Sequence, residues 1–305
     1  LGDLLGDLAP EAPGVEVTGI RYDSRDVSPG DCFVALRGEK TDGLRHVAQA
    51  VAQGAAAIVA ETDGRWGVPS VRVADARRAL SRMAAHFHGD PSRSMRVVGI
   101  TGTKGKTTTS YLLEAVLKAS GLEPGVTGTV SYRWPGVEKE ASRTTPESAD
   151  LQEMLARMRR AGCQAAVMEV SSHALFQGRT ADVAFACAVF TNLSSDHLDY
   201  HKTPEAYRDA KGILFRDLEP SATAVLNAED PASASYRALT RARVLTYALD
   251  IPADCRARVL EEGWQGTRIL LETPGGKAES ALRFVGRHNV MKAQAAAAAG
   301  DALGL

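Results

Sequence analysis

The run Val97-Val98-Gly99-Ile100-Thr101-Gly102-Thr103-Lys104-Gly105-Lys106-Thr107-Thr108-Thr109 joins an apolar stretch to a glycine-rich bend and a Lys-Thr step. Glycines let the backbone curl until several N–H groups face one point, and a helix starting there adds partial positive charge. A lysine inside such a bend reaches phosphate oxygens, and the hydroxyl after it suits Mg²⁺. Lys106 and Thr107 fit those two roles. Loops of this kind usually carry a glycine where this chain has Ile100, with Gly99 and Gly102 displaced from that spacing, so the bend is a variant. A glycine turn with a solvated lysine would account for neither the strand-to-helix context nor the Lys-Thr pair.

Two other runs end apolar stretches with metal- or substrate-binding groups. Glu169, followed by Val170-Ser171-Ser172-His173, closes one, and Thr191-Asn192-Leu193-Ser194-Ser195-Asp196-His197-Leu198-Asp199-Tyr200-His201 follows the other. Open α/β sheets bind ligands at such strand ends. Glu169 offers hard oxygens to Mg²⁺, and on donor chemistry Asp196 or Asp199 suits that ion better than His197. A helix cap and a structural histidine remain equally open readings of the second run. Taken alone, Lys211 reads as an exposed helix lysine. Asp23-Ser24-Arg25 with Ser28-Pro29-Gly30-Asp31 reads as a turn held by side chains.

The elements that must position these groups follow from periodicity. Residues 1–92 read as a small α/β domain with helices over 44–53 and 76–88 and strands over 32–36 and 55–59. The polar, proline-containing run 90–94 marks the boundary. Across 93–305, apolar runs at 97–100, 165–170, 185–191 and 222–226 alternate with helices at 106–120 and 204–217. That pattern predicts a mostly parallel sheet with helices on both faces. Residues 258–284 carry strand-like runs split by Glu262-Gly263 and Pro274-Gly275-Gly276-Lys277, an expected antiparallel meander, and an alanine-rich helix spans 290–303.

Composition narrows the partners. Thirty-six basic against 37 acidic residues leave a net charge of −1, so no global field favours a nucleic acid or an anionic membrane, and neither is expected as a partner. No stretch approaches the ~20 apolar residues of a membrane span. The four cysteines, Cys32, Cys163, Cys187 and Cys255, show no CxxC spacing and read as reduced core thiols, which favours a cytoplasmic location. Trp66, Trp134 and Trp264 read as packing or loop anchors rather than base-stacking platforms. His86 and His88 read as helix-end residues.

The segment from Thr101 to Thr108 resembles the phosphate loop of the Mur ligases, the ATP-dependent amide-forming enzymes of peptidoglycan precursor synthesis; folylpolyglutamate synthetase carries a similar loop. Lys104 stands where asparagine is common. The resemblance implies ATP contacts from Gly102, Thr103, Lys104, Gly105, Lys106, Thr107 and Thr108. The Glu169-to-Leu175 and Asn192-to-His201 motifs, followed by Tyr207-Arg208-Asp209-Ala210-Lys211, resemble those of the family's MurE branch. There the resemblance implies two Mg²⁺ ions, Thr107 serving the first and Glu169, His197 and a carbamylated Lys211 the second. Carbamylation turns an ammonium into an anionic oxygen ligand. Lys106 and Lys211 become the expected catalytic residues.

The Asp23-to-Asp31 region resembles the family's uridine-nucleotide domain, implying substrate contacts from Ser24 and Arg25. Thr144-Thr145-Pro146 resembles a substrate motif, and Ser172, Gln177 and Arg179 match positions that contact the nucleotide-sugar peptide. Gly286-Arg287-His288-Asn289 resembles the motif near the adenine, where Lys292 replaces a second expected asparagine and leaves Asn289 as the base contact. The implied reaction adds meso-diaminopimelate, L-lysine or ornithine to UDP-MurNAc-L-Ala-D-Glu through an acyl phosphate, by an enzyme expected to be monomeric. A third, Rossmann-like domain supplies the amino-acid site in that family, so the chain is expected to hold only the first two. A MurF-type ligase and a noncatalytic nucleotide-sugar-binding protein are the alternatives.

Overall fold

The computed structural model describes residues 1–38 and 41–305. The chain divides into two compact units, the first comprising Leu1–Pro91, Glu147–Ala156 and Gln177–Val183, the second Ser92–Pro146, Arg157–Phe176 and Ala184–Leu305. The α/β architecture expected from the sequence is present, with a four-stranded sheet in the first unit and an eleven-stranded sheet in the second.

In the first unit, β1 (Ile20–Arg21), β2 (Cys32–Val34), β3 (Ala57–Ala60) and β4 (Ser70–Arg72) pair in that order, all parallel. Helices α1 (Gly2–Leu5), α2 (Val47–Ala52) and α3 (Ala76–Phe87) accompany them. Asp75 caps α3 by accepting from the Arg77 and Arg78 N–H groups. The helix buries Ala76, Ala79, Leu80, Met83 and Ala84, a stripe at helical spacing, against Leu5, Cys32, Val34, Ala57 and Val59. The helix expected over 44–53 is shorter: a tight 3₁₀ turn over Gly43–His46, started by Asp42 accepting the Leu44 N–H, precedes α2. His86, in the last turn of α3, contacts through its ring the Leu4 carbonyl in the last turn of α1 at 3.1 Å, a helix-end interaction.

The two later segments in this unit lie inside the stretch that the sequence assigns to the second domain. They belong with the first because their polar groups and core atoms are satisfied there. Arg82 pairs with Asp182 at 2.8 Å, Arg77 with Glu147 at 3.1 Å, Gln152 donates to the Asp182 carbonyl, and Ala149 is buried in the same core as α3.

The second unit adds β5 (Arg96–Thr101), α4 (Lys106–Ala119), β6 (Pro124–Thr127), β7 (Ser131–Trp134) and β8 (Val137–Glu140), followed by α5 (Ser148–Arg160), of which only 157–160 belong here. Next come β9 (Ala165–Glu169), α6 (Ser172–Phe176), β10 (Phe185–Phe190), α7 (Leu198–His201), α8 (Pro204–Arg216), β11 (Thr223–Asn227), α9 (Ala232–Leu239) and β12 (Arg243–Ala248). The meander β13 (Cys255–Gly263), β14 (Gly266–Thr273) and β15 (Gly276–Leu282) and the helix α10 (Arg287–Ala302) complete it. The strand order is β15-β14-β13-β12-β11-β10-β5-β9-β6-β7-β8.

From β13 through β6 neighbouring strands run parallel, and both margins are antiparallel hairpins. Strands β9 and β11 are buried along their whole length, as a sheet covered on both faces requires. The edge strand β8 is exposed at every residue and carries Glu138, Lys139 and Glu140, charges that blunt an open edge. All four cysteines are free and buried. Trp134 is buried and Trp66 packs against a core cluster, whereas Trp264, in the β13–β14 turn, is 91% exposed. Among the described residues no helix is long and apolar enough to cross a membrane.

Candidate functional site

Strand β5 lies in the middle of the second unit's sheet between β9 and β10, with Ile100 opposite Glu169 and Thr101 opposite Phe190. The chain reaches β9 on one side of β5 and then crosses to β10 on the other, so the bend after β5 sits at the carboxyl ends where the strand order reverses. Gly102 adopts a φ of 146° and Gly105, the N-cap of α4, a φ of 90°. At Gly102 a β-carbon would collide with Thr191 Oγ1, which explains the glycine on steric grounds.

The bend is held from the segment after β10. Thr103 N–H donates to the Asn192 carbonyl at 2.8 Å and Lys104 N–H to Asn192 Oδ1 at 3.1 Å, while Thr191 Oγ1 and Asn192 Nδ2 both donate to the Lys104 carbonyl at 2.8 Å. Lys106 Nζ folds back over the loop, donating to the carbonyls of Gly102 at 2.8 Å and Thr103 at 3.1 Å. Burial lowers the pKa of this ammonium, and the charges of Glu169 and Asp196 oppose that shift. The Lys104 side chain is exposed.

Glu169 ends β9 at 1% exposure. Its Oε2 accepts from Thr107 Oγ1 at 2.8 Å and Thr129 Oγ1 at 3.0 Å, and its Oε1 accepts from Thr129 N–H at 2.9 Å. Gly128 passes so close to Oε1 that any side chain there would strike it. Thr129 is a residue that sequence reasoning missed. Its signal is the Val126-Thr127-Gly128-Thr129 run, an apolar strand breaking into a glycine turn, much as β5 does.

Lys211 contradicts its stand-alone reading as an exposed lysine. It is 1% exposed, and its Nζ donates to the Gly102 carbonyl at 3.0 Å and lies 4.4 Å from the centre of the Tyr207 ring. Burial drives its pKa well below the ordinary lysine value, and Lys106 adds repulsion in the same direction. His197, at a φ of 52°, has its ring 5.0 Å from that of His173 and 6.0 Å from that of Tyr207, with Asp196 3.7 Å from its Nε2.

The donors thus fall into two sets, Thr107 with Glu169, and His197 with Lys211 about Tyr207. The hydroxyl and carboxylate oxygens of the first set suit Mg²⁺. The second set as encoded does not, because imidazole and lysine nitrogens are poor ligands for a hard cation that prefers oxygen. Among the described residues no three His, Cys, Asp or Glu side chains gather as metal ligands.

Around Glu169, Thr145 Oγ1 donates to the Glu169 carbonyl at 2.9 Å, and Thr144 Oγ1 lies 3.1 Å from Thr129 Oγ1. Ser172 is 1% exposed, and its hydroxyl is engaged with His201 Nε2 at 2.9 Å. Its neighbour Ser171 is only partly buried, with its Oγ 3.4 Å from Thr145 Oγ1. The serine beside the threonine motif is therefore Ser171, one position before the residue marked in the sequence.

The remaining expected contacts are in different surroundings. In the first unit, buried Ser24 donates to Gln49 Oε1 at 2.9 Å, exposed Arg25 pairs with Asp23, and Arg179 bonds to Gln177 and lies 3.5 Å from Glu147. In the second, Asn289 donates through Nδ2 to the Val285 carbonyl at 2.8 Å and accepts from Lys292 Nζ at 3.1 Å. A carboxylate, the buried Lys211, the half-buried Lys106 and a glycine bend opening onto a helix N-terminus form an arrangement suited to a polyphosphate and the phosphoryl chemistry it undergoes.

Comparison with known proteins gives the same direction. Residues 100–300 match the family described as Mur ligase middle domain, and residues 16–88 match that described as Mur ligase family, catalytic domain. The chain is 42% identical over 296 residues to the UDP-N-acetylmuramoyl-L-alanyl-D-glutamate--2,6-diaminopimelate ligase of Bacillus velezensis, covering 95% of this chain and 60% of that protein. It is 43% identical to the UDP-N-acetylmuramyl-tripeptide synthetase of a Roseiflexus species, covering 92% and 59%. A solved UDP-N-acetylmuramoyl-L-alanyl-D-glutamate--2,6-diaminopimelate ligase superposes with a TM-score of 0.83 at 29% identity, over 95% of this chain and 60% of that one. A MurF structure from Acinetobacter baumannii gives 0.71 at 28%, over 96% and 61%. The chain therefore spans about 60% of the length of the curated relatives it matches.

Proposed function

The chain belongs to the Mur ligase family, and from that premise we propose that it serves ATP-dependent joining of a diamino acid to the D-glutamyl side-chain carboxylate of UDP-MurNAc-L-Ala-D-Glu. The carrying observation is that Lys106 and Lys211 both bond to the Gly102 carbonyl while Thr107, one residue along, bonds to Glu169. Nucleotide-binding and metal-binding groups thus meet at one bend. The incoming residue inferred here is 2,6-diaminopimelate, the one in the relatives' names, and lysine and ornithine are the alternatives.

A carboxylate at neutral pH resists nucleophiles because attack would add charge to an anion. In the proposed reaction a carboxylate oxygen attacks the γ-phosphorus of ATP and ADP leaves, giving an acyl phosphate. The amine nitrogen then attacks the acyl carbon, phosphate leaves, and the nitrogen sheds a proton. Most of the work in such transfer is positioning and charge neutralisation. The loop amides and Lys106 would supply both to the phosphates.

Thr107 is the residue proposed for one Mg²⁺, and Glu169, His197 and carbamylated Lys211 are those proposed for a second. Bound there, magnesium would spread the phosphate charge. A lysine kept neutral by burial can add carbon dioxide, losing a proton and gaining the oxygens that the encoded side chain lacks. For the sugar-peptide we propose Ser24, Arg25, Thr144, Thr145, Gln177 and Arg179, with Ser171 in place of Ser172, whose hydroxyl His201 already holds.

The test is to incubate the full gene product with UDP-MurNAc-L-Ala-D-Glu, ATP, Mg²⁺ and each diamino acid in turn, and to weigh the products. Diaminopimelate is expected to yield the tripeptide nucleotide, and Lys106→Ala to lower its rate at least about a thousandfold. Undiminished product from Lys106→Ala would remove the phosphate-loop assignment.

A further inference from the structure

Lys292 stands in the second turn of α10, partly buried. Its stem runs beside the phosphate bend: a β-carbon built on Gly105 would lie 3.2 Å from Lys292 Cε, 3.6 Å from Cγ and 3.8 Å from Cδ. Gly105 is the residue from which α4 starts, so the methylenes of Lys292 cover the point where the helix amides and Lys106 leave the loop.

The ammonium donates to the Oδ1 of Asn289 at 3.1 Å, its one partner among the described residues, and Asn289 is itself fixed by its bond to the Val285 carbonyl. Among the described residues no carboxylate pairs with it, and burial alone lowers its pKa. A cation partly withdrawn from water without a counter-charge is unfavourable, and an anion beside it offsets that cost. The anion that this bend is shaped to receive is a polyphosphate.

We propose that Lys292, whose stem lies on Gly105 and whose ammonium bonds to Asn289, is a further phosphate-binding lysine for the nucleotide bound by the bend at 102–108. The proposal rests on the phosphate-loop reading above. It reassigns Asn289 from base contact to support, since its amide oxygen orients Lys292 and its amide nitrogen holds Val285. The lysine that replaces the expected asparagine would therefore shift recognition from the base toward the phosphates.

Binding of ADP, ATP and adenosine, measured by calorimetry for the unaltered chain and for Lys292→Met, Lys292→Arg and Lys106→Ala, tests this. Lys292→Met is expected to weaken ADP and ATP about tenfold, with the deficit shrinking as salt is raised. Lys292→Arg should retain most of the affinity, and adenosine should bind all Lys292 variants alike. Should Lys292→Met fail to fold, Lys292→Gln carries the same comparison. Unchanged ADP affinity in Lys292→Met while Lys106→Ala loses it would overturn the proposal, as would an equal loss for adenosine and ADP. If Lys106→Ala also binds ADP normally, the phosphate-loop reading fails and the Lys292 proposal falls with it.

Discussion

Lys211 shows how one side chain can be misread and what would have corrected the reading. With Tyr207, Ala210 and Leu214 it occupies positions i−4, i−1, i and i+3 of α8, and all four are buried. The stripe is visible in the sequence, but a charged residue within it reads as solvated because a bare ammonium is costly to bury. Its folded pKa lies well below the ordinary value, whereas the unfolded amine titrates near 10.4. Between those values the unfolded chain binds a proton that the folded chain does not, so this group makes stability rise with pH through that window. In carbon dioxide-free buffer, Lys211→Met is therefore expected to gain in melting temperature relative to the unaltered chain as pH falls from 10 to 7. A difference independent of pH would mean that the folded amine keeps its charge. The Ser171–Ser172 pair has no comparable signal, because which hydroxyl meets His201 depends on how α6 starts after β9.

The phosphate bend was the most legible element. Its glycines, its lysine and its place between an apolar strand and a helix are all local features that need no tertiary information. The same locality makes a sharp prediction at Gly102. Alanine there would both strain a φ of 146° and drive its β-carbon into Thr191 Oγ1 and the Asn192 backbone. Gly102→Ala is expected to destabilise the fold by about 2–4 kcal/mol in urea unfolding and to weaken ATP binding. Wild-type values for both would mean that the bend relaxes freely. By contrast, β6, β7 and β8 escaped the sequence reading. They are short, β6 opens with Pro124 and Gly125, and β8 is polar at three of its four positions, so the alternation that marks a strand has no room to develop. The meander was read because its turn residues are glycine-rich and its strands longer.

At the scale of the whole molecule, the parallel sheet and its helices were foreseeable from alternation, but the return of the chain to its first unit was not. Nothing in the composition of 147–156 or 177–183 marks them as parts of the earlier core; they belong to it through long-range pairs such as Arg82 with Asp182 and Tyr22 with Asp150. A fragment ending at residue 91 would lack Ala149 from its core and leave Arg77 and Arg82 without Glu147 and Asp182. It is expected to unfold several degrees below the corresponding transition of the intact chain, read by circular dichroism. Equal melting of the fragment would show those returns to be dispensable.

The same threading bears on synthesis. A ribosome releases the chain from its amino end, so the four-stranded sheet emerges long before Asp182, the partner of Arg82, has been made. The earliest part of the protein must therefore wait, incompletely closed, while nearly a hundred further residues are translated, and during that interval Arg77 and Arg82 lack the carboxylates of Glu147 and Asp182 and the core around α3 lacks Ala149.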